Sequence, residues 1–250
     1  MWSRTFSKID VELGTSEPLY PTMTTESLDL RWSFIRKIYS IVSIQLLLTV
    51  VVGAWVVFYD HPIVTFLTKT RGGFACDILI FISPFIIICL LACYHRRHPV
   101  NYVLLGIFTI AVAFSLGLSC ALSTSGMVIL EAAILTAVMV VSLTLYTFWA
   151  AKKGHDINYF WGPSPTLFGS LMVLSVFSII QIFFPMGEIS VMIYAGVSAI
   201  IFCGYIVYDT DNLIKRYTYD EYIWAAVALY LDVINLFLAL LRILRASRRR

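Results

Sequence analysis

An all-α membrane bundle of seven transmembrane helices, with the last helix central, is the fold class that this sequence predicts. Three observations predict it. The 250 residues are 60% hydrophobic and only 13% charged, where a soluble domain carries about 25% charge. The mean hydropathy is +0.85. Apolar runs long enough to cross a bilayer recur along the chain between short polar breaks.

A hydrocarbon core is about 30 Å thick, so a crossing helix needs roughly 20 apolar residues. Such runs lie at Ile38–Phe58, Ile78–Tyr94, Val103–Leu122, Met127–Ala151, Thr166–Phe184, Ile189–Tyr208 and Tyr222–Leu244. The breaks are too short for a second domain, so residues 31–250 read as one transmembrane bundle with a short basic C-terminal tail. Residues 1–30 are polar and read as a disordered cytosolic tail, although Thr24-Thr25-Glu26-Ser27 has the composition of a helix cap. No apolar stretch precedes Ile38, so no cleavable secretory signal is expected.

Orientation follows from the basic residues of the flanks and short loops. With the N-terminus in the cytosol, that side holds Arg4, Lys8, Arg31, Arg36, Lys37, Arg96, Arg97, Lys152, Lys153, Lys215 and Arg216. The other side holds Lys69 and Arg71 before the C-terminal tail, which makes eleven against two. Seven full crossings then carry Arg245, Arg248, Arg249 and Arg250 to the non-cytosolic side, against the charge rule. The last segment also carries Asp232 and Asn235, which a helix surrounded by other helices tolerates and a lipid-facing helix does not. It is therefore placed at the centre of the bundle.

Several function classes are excluded. A net charge of +3, with the basic residues beside helix ends, fits membrane lipid headgroups as partners and no nucleic acid. Cys76, Cys89, Cys93, Cys120 and Cys203 form no disulfide framework and no metal pattern with histidine, and Cys89 and Cys93 read as packing residues. His61, His95, His98 and His155 all fall in predicted loops. No phosphate loop and no nucleophile–base pattern stands out, so the chain is not expected to be an enzyme.

Acidic residues inside membrane segments are costly and each needs a reason. Asp209 ends the sixth run and Asp232 has ten residues of the seventh before it and twelve after. The connection around Lys215–Glu221 is short, so the two helices are antiparallel neighbours. The sequence midpoint between the aspartates falls at Asp220/Glu221, which puts both at similar depth, roughly 12–17 Å from the bend. Two close carboxylates away from water share one proton and titrate as a pair. Ionised, they repel or recruit a hard divalent cation such as calcium. Asp209 and Asp232 are the candidate pH-sensing and calcium pair. Asn235 is a candidate further ligand, and Glu131, near the start of the fourth run, a second acidic station on a cation path. Asp211 reads either as part of that path or as an interface charge. Asp60, Asp77 and Glu188 read as solvated loop charges.

At these residues the sequence resembles a known family. Tyr208-Asp209-Thr210-Asp211-Asn212-Leu213-Ile214 and Ala228-Leu229-Tyr230-Leu231-Asp232-Val233-Ile234-Asn235-Leu236-Phe237 resemble the Bax-inhibitor-motif membrane proteins, with the Lifeguard branch and its plant members nearest. Arg36-Lys37-Ile38-Tyr39 with Gln45-Leu46-Leu47, and Leu143-Thr144-Leu145-Tyr146-Thr147-Phe148, fit as well. The resemblance covers about Arg31 to Leu244. It implies a seven-helix fold with a central last helix, and a pH-sensitive calcium leak from internal stores tied to suppression of stress-induced cell death. It implies no resident cofactor, with calcium as permeant and transient ligand. It also implies cell-death regulatory proteins as partners, an endomembrane location (endoplasmic reticulum, Golgi or vacuole) ahead of the plasma membrane, and acid as the promoter of leak. The family's paired aspartates map onto Asp209 and Asp232. Bacterial relatives carry a basic residue in the second helix that latches the pair; the interior of Ile78–Tyr94 has none, and its basic residues come only at Arg96 and Arg97.

Two other readings compete. An intramembrane aspartyl protease matches Tyr208-Asp209, but Tyr230-Leu231-Asp232 is not its Gly-x-Gly-Asp motif, and no proline follows Pro185 to give its Pro-Ala-Leu motif. A non-transporting scaffold that regulates cell death or immunity through protein partners fits the same bundle.

Overall fold

A computed structural model of the chain describes residues 25–58, 66, 70–94, 99–121, 125–153, 164–184 and 187–248. The four histidines, Asp60 and the first 24 residues lie outside the described residues. Among the described residues seven α-helices follow in order: α1 Thr25–Phe58, α2 Arg71–Tyr94, α3 Val100–Ala121, α4 Gly126–Lys152, α5 Ser164–Phe183, α6 Glu188–Lys215 and α7 Tyr222–Arg248. Every apolar run is one helix, because in a bilayer only a helix satisfies all of a segment's backbone groups internally. Six helices have the length and composition to cross a membrane. The apolar part of α5, Pro165–Gln181, is shorter.

The helices outrun the apolar runs at their polar ends. α1 begins at Thr25 rather than Ile38, and α6 continues past Tyr208 to Lys215. Asp77 lies inside α2 and is half-buried, not in a loop. Glu188 is the exposed first residue of α6, where its charge suits the positive end of the helix dipole.

α7 is the central helix. It packs on α1, α4 and α6, whereas α2 packs chiefly on α3 and α5 chiefly on α6. Its fully buried side chains include Ile223, Leu229, Tyr230 and Leu236. The outer helices turn Phe85, Ile86, Val173 and Val176 outward, as lipid-facing surfaces require. Cys89 and Cys93 are exposed on this outer face of α2, so they are not the packing residues the sequence suggests; α2 packs chiefly on α3 and leaves that stripe free.

Buried polar atoms find partners across helices. Gln45 Nε2 donates to Thr109 Oγ1 at 3.0 Å, and the hydroxyls of Thr49 and Tyr230 meet at 2.8 Å. Pro84 in α2 cannot donate to the carbonyl of Ile80. That carbonyl instead accepts from Ser83 Oγ at 2.9 Å, and Ser115 Oγ of α3 stands 3.1 Å from it. Where α1 crosses α3 the contact is backbone to backbone: a Cβ on Gly117 would lie 2.9 Å from Val56 Cβ and 3.0 Å from Gly53 Cα. Small residues allow this approach, and dispersion between close backbones is a main source of helix association in lipid.

The far end of α7 lies beside the start of α4. Arg248 Nη2 lies 2.9 Å from Glu131 Oε2, near the start of α4, with both side chains exposed. The last helix therefore runs the full length of the bundle, and a charge at the head of α4 compensates a base of the tail. A reporter fused after Arg250 is expected on the same side of the membrane as one inserted in the 123–126 turn, and opposite to one at Lys153. Protease protection of the three fusions checks this, and opposite sides for the first two would overturn the arrangement.

Candidate functional site

The site is built where α6 turns into α7. α6 ends as the N–H groups of Arg216 and Tyr217 both donate to the carbonyl of Asn212, at 2.8 and 3.0 Å. A short 3-10 turn, Tyr219–Glu221, starts the return, with Thr218 and Glu221 forming a capping box. The Thr218 N–H donates to Glu221 Oε2 at 3.1 Å and the Glu221 N–H to Thr218 O at 3.1 Å. This closed turn fixes the register of α6 against α7 and with it the relative depth of the two aspartates.

Asp209 and Asp232 are 8% and 7% exposed, and their carboxyl groups come within hydrogen-bonding reach of each other. Two carboxylates in such contact need a proton between them or a cation beside them. Asn212, one turn beyond Asp209, lies beside it. Asp232 Oδ2 and Asn212 Oδ1 are buried and accept no hydrogen bond among the described residues. Buried oxygens of that kind are costly unless something occupies them transiently. Asp209 does not end its helix: α6 runs six residues further and buries it against α7.

The other sequence candidates fall elsewhere. Asp211 is not an interface charge. It is 1% exposed and pairs with Lys215 Nζ at 2.8 Å, one turn along α6. The packing that surrounds the end of α6 encloses it, and the lysine compensates it. Asn235 donates from Nδ2 to Leu231 O of its own helix at 2.8 Å. Glu131 belongs to the opposite end with Arg248 and does not join the pair. Among the described residues no three His, Cys, Asp or Glu side chains gather into a metal-holding group.

Sequence reasoning missed Arg31, counted there only as a flanking charge. Arg31 is 8% exposed and its Nε donates to Ile214 O at 3.0 Å. The signal was the stripe Arg31, Ile35, Ile38, Val42, Gln45, Thr49, all buried at helical spacing. Tyr39 was quoted only as part of a motif; its hydroxyl stands 3.5 Å from Thr210 Oγ1, which ties α1 to α6 beside Asp209.

Comparison with known proteins agrees with these features. The model of the family described as inhibitor of apoptosis-promoting Bax1 matches residues 31–249. The chain is 63% identical over 249 residues to Protein LIFEGUARD 4 of Arabidopsis thaliana, covering 98% of both chains. It is 34% identical over 215 residues to Bax inhibitor 1 of Schizosaccharomyces pombe, covering 86% of this chain and 77% of that one. It is 32% identical over 232 residues to the Golgi anti-apoptotic protein of vaccinia virus, covering 92% of each. A seven-helix bundle, a buried aspartate pair across its last two helices and this likeness along nearly the whole chain together show that the protein belongs to the Bax-inhibitor family, with the Lifeguard proteins among its relatives.

Proposed function

We propose that this protein is a pH-sensitive calcium leak path of an internal membrane, switched by Asp209 and Asp232, and that it serves to restrain stress-induced cell death. The observation that carries the reading is the contact of two buried carboxyl groups across α6 and α7. With a proton between them the pair is singly charged and holds a passing divalent cation weakly, so calcium leaks. When the proton leaves, the two like charges take up the cation and retain it, with Asn212 Oδ1 and Asp232 Oδ2 as ready acceptors. Calcium is the cargo here. Two carboxylates without a third acidic ligand suit passage better than storage. Glu131 and Asp211 have no part in this switch, since each is paired with a base; Asn235, whose Nδ2 donates to Leu231 O, keeps its amide oxygen as a candidate ligand. The link to cell death rests on the family and on the anti-apoptotic name of the viral relative.

Calcium efflux from liposomes holding the purified protein, read with a trapped dye, tests the reading. Asp232→Leu is expected to change the flux and its pH response while leaving the fold intact, because it removes one of two like charges from a buried site and leucine is at home in an apolar bundle. Unchanged flux and pH response in folded Asp232→Leu removes the site. Absence of flux in the wild type, with cell-death suppression retained, favours the scaffold that acts through protein partners.

A further inference from the structure

The turn between α6 and α7 is held by a side chain from the other end of the sequence. Arg31, in the part of α1 that precedes the apolar run, donates from Nε to Ile214 O at 3.0 Å and from Nη1 to Tyr217 O. Its guanidinium lies 5.4 Å from the centroid of the Phe34 ring, and Phe34 meets Tyr219 edge-on at 5.5 Å. A cation on the last carbonyls of α6 also suits the negative end of that helix. A burial of this kind has a desolvation cost, so the arginine must be held by what it grips.

From that grip a chain of contacts leads toward the pair. The Tyr217 carbonyl accepts from Arg31, the Tyr217 N–H donates to Asn212 O at 3.0 Å, and the Asn212 side chain lies beside Asp209. The Tyr217 ring packs partly buried against the core cluster that holds Leu213, Tyr222 and Ala226. Burial, and then the nearby charges of Asp209 and Asp232, push the Tyr217 phenol well above its ordinary range. The phenol therefore stays protonated and within electrostatic reach of both aspartates.

We propose that Tyr217 covers the pair at its α6–α7-turn end and that Arg31 is the positioning residue that keeps it there, so that α1 governs access to the pair from that side. This rests on the aspartate pair as the working site, and its test does not need flux. A water-soluble carbodiimide with an amine nucleophile labels carboxyl groups that water reaches, and mass spectrometry of the full-length protein reads the extent at Asp209 and Asp232. Arg31→Gln is expected to raise that labelling roughly tenfold, the order set by losing one charge-assisted hydrogen bond from a local opening equilibrium, and Tyr217→Ala, which keeps the carbonyl that Arg31 grips but removes the ring, is expected to raise it several-fold. Arg31→Lys, which keeps the charge and loses the two-pronged grip, should fall between. Monodisperse elution and wild-type helicity establish that each variant is folded, and Tyr217→Ala carries the test if Arg31→Gln is not. Labelling at the wild-type level in folded Tyr217→Ala overturns the cover, and in folded Arg31→Gln overturns the positioning role. Flux lacking in the wild type, with labelling raised in both variants, would sink the leak and leave the cover standing.

Discussion

In proteoliposomes, Asp209→Asn and Asp232→Asn are each expected to flatten the pH dependence of calcium flux between about pH 6 and 8, a range that carboxyl groups sharing a proton can reach. Asparagine keeps the shape of the side chain and stands for the neutral form of the carboxyl group. Either substitution leaves no like-charge pair to be created as pH rises, so the flux of each variant should stay near the acid-side level of the wild type throughout. The two residues touch, and a pair that acts as a unit gives non-additive effects. The double variant should therefore add little to either single one. The sign of the wild-type response separates two opposing physical effects. Protonation weakens cation binding at the pair, and it also relieves the repulsion that drives α6 from α7. The family resemblance implies that the leak rises in acid, so the variants should be leaky at neutral pH. If both single variants titrate like the wild type, no proton is shared and the switch is wrong, whatever the flux itself shows.

The second large effect is expected where α1 crosses α3. Gly117→Ala brings a Cβ to 2.9 Å from Val56 Cβ and to 3.0 Å from the Cα and 3.2 Å from the carbonyl oxygen of Gly53. Two of these neighbours are backbone and cannot rotate away, so the helices must part. Overpacking of this kind costs about 1–3 kcal/mol, and Gly117→Leu should cost more and lower the yield of folded protein. Gly106→Ala on the same helix is the control, because nothing lies within 4 Å of its Cβ. That change should be neutral or stabilising by about 0.5–1 kcal/mol, the ordinary gain of alanine over glycine in a helix. Thermal unfolding in detergent, followed by loss of the monodisperse peak, reads both. Equal stability of Gly117→Leu and wild type would show that the crossing is not a tight contact.

The sequence alone determined the seven helices of the described residues, the central place of the last one and the nearness of Asp209 to Asp232. All three depend on local chemistry. Twenty apolar residues in hydrocarbon must be helical, and a carboxylate at Asp232 in such a run announces its own cost. The short connection before Tyr222 is also local, and it sufficed to bring Asp209 to the depth of Asp232. The polar ends were less legible, because a helix running beyond the apolar run carries no hydropathy signal; hence the start of α1 at Thr25 and the burial of Asp211 on the extended α6. What only the tertiary structure decided depends on residues far apart in the chain. Arg31 finds its acceptors 183 and 186 positions away, and Glu131 meets Arg248 across 117. In each case one side chain's role depends on where another helix ends, and a single sequence records the charge but not the partner that compensates it.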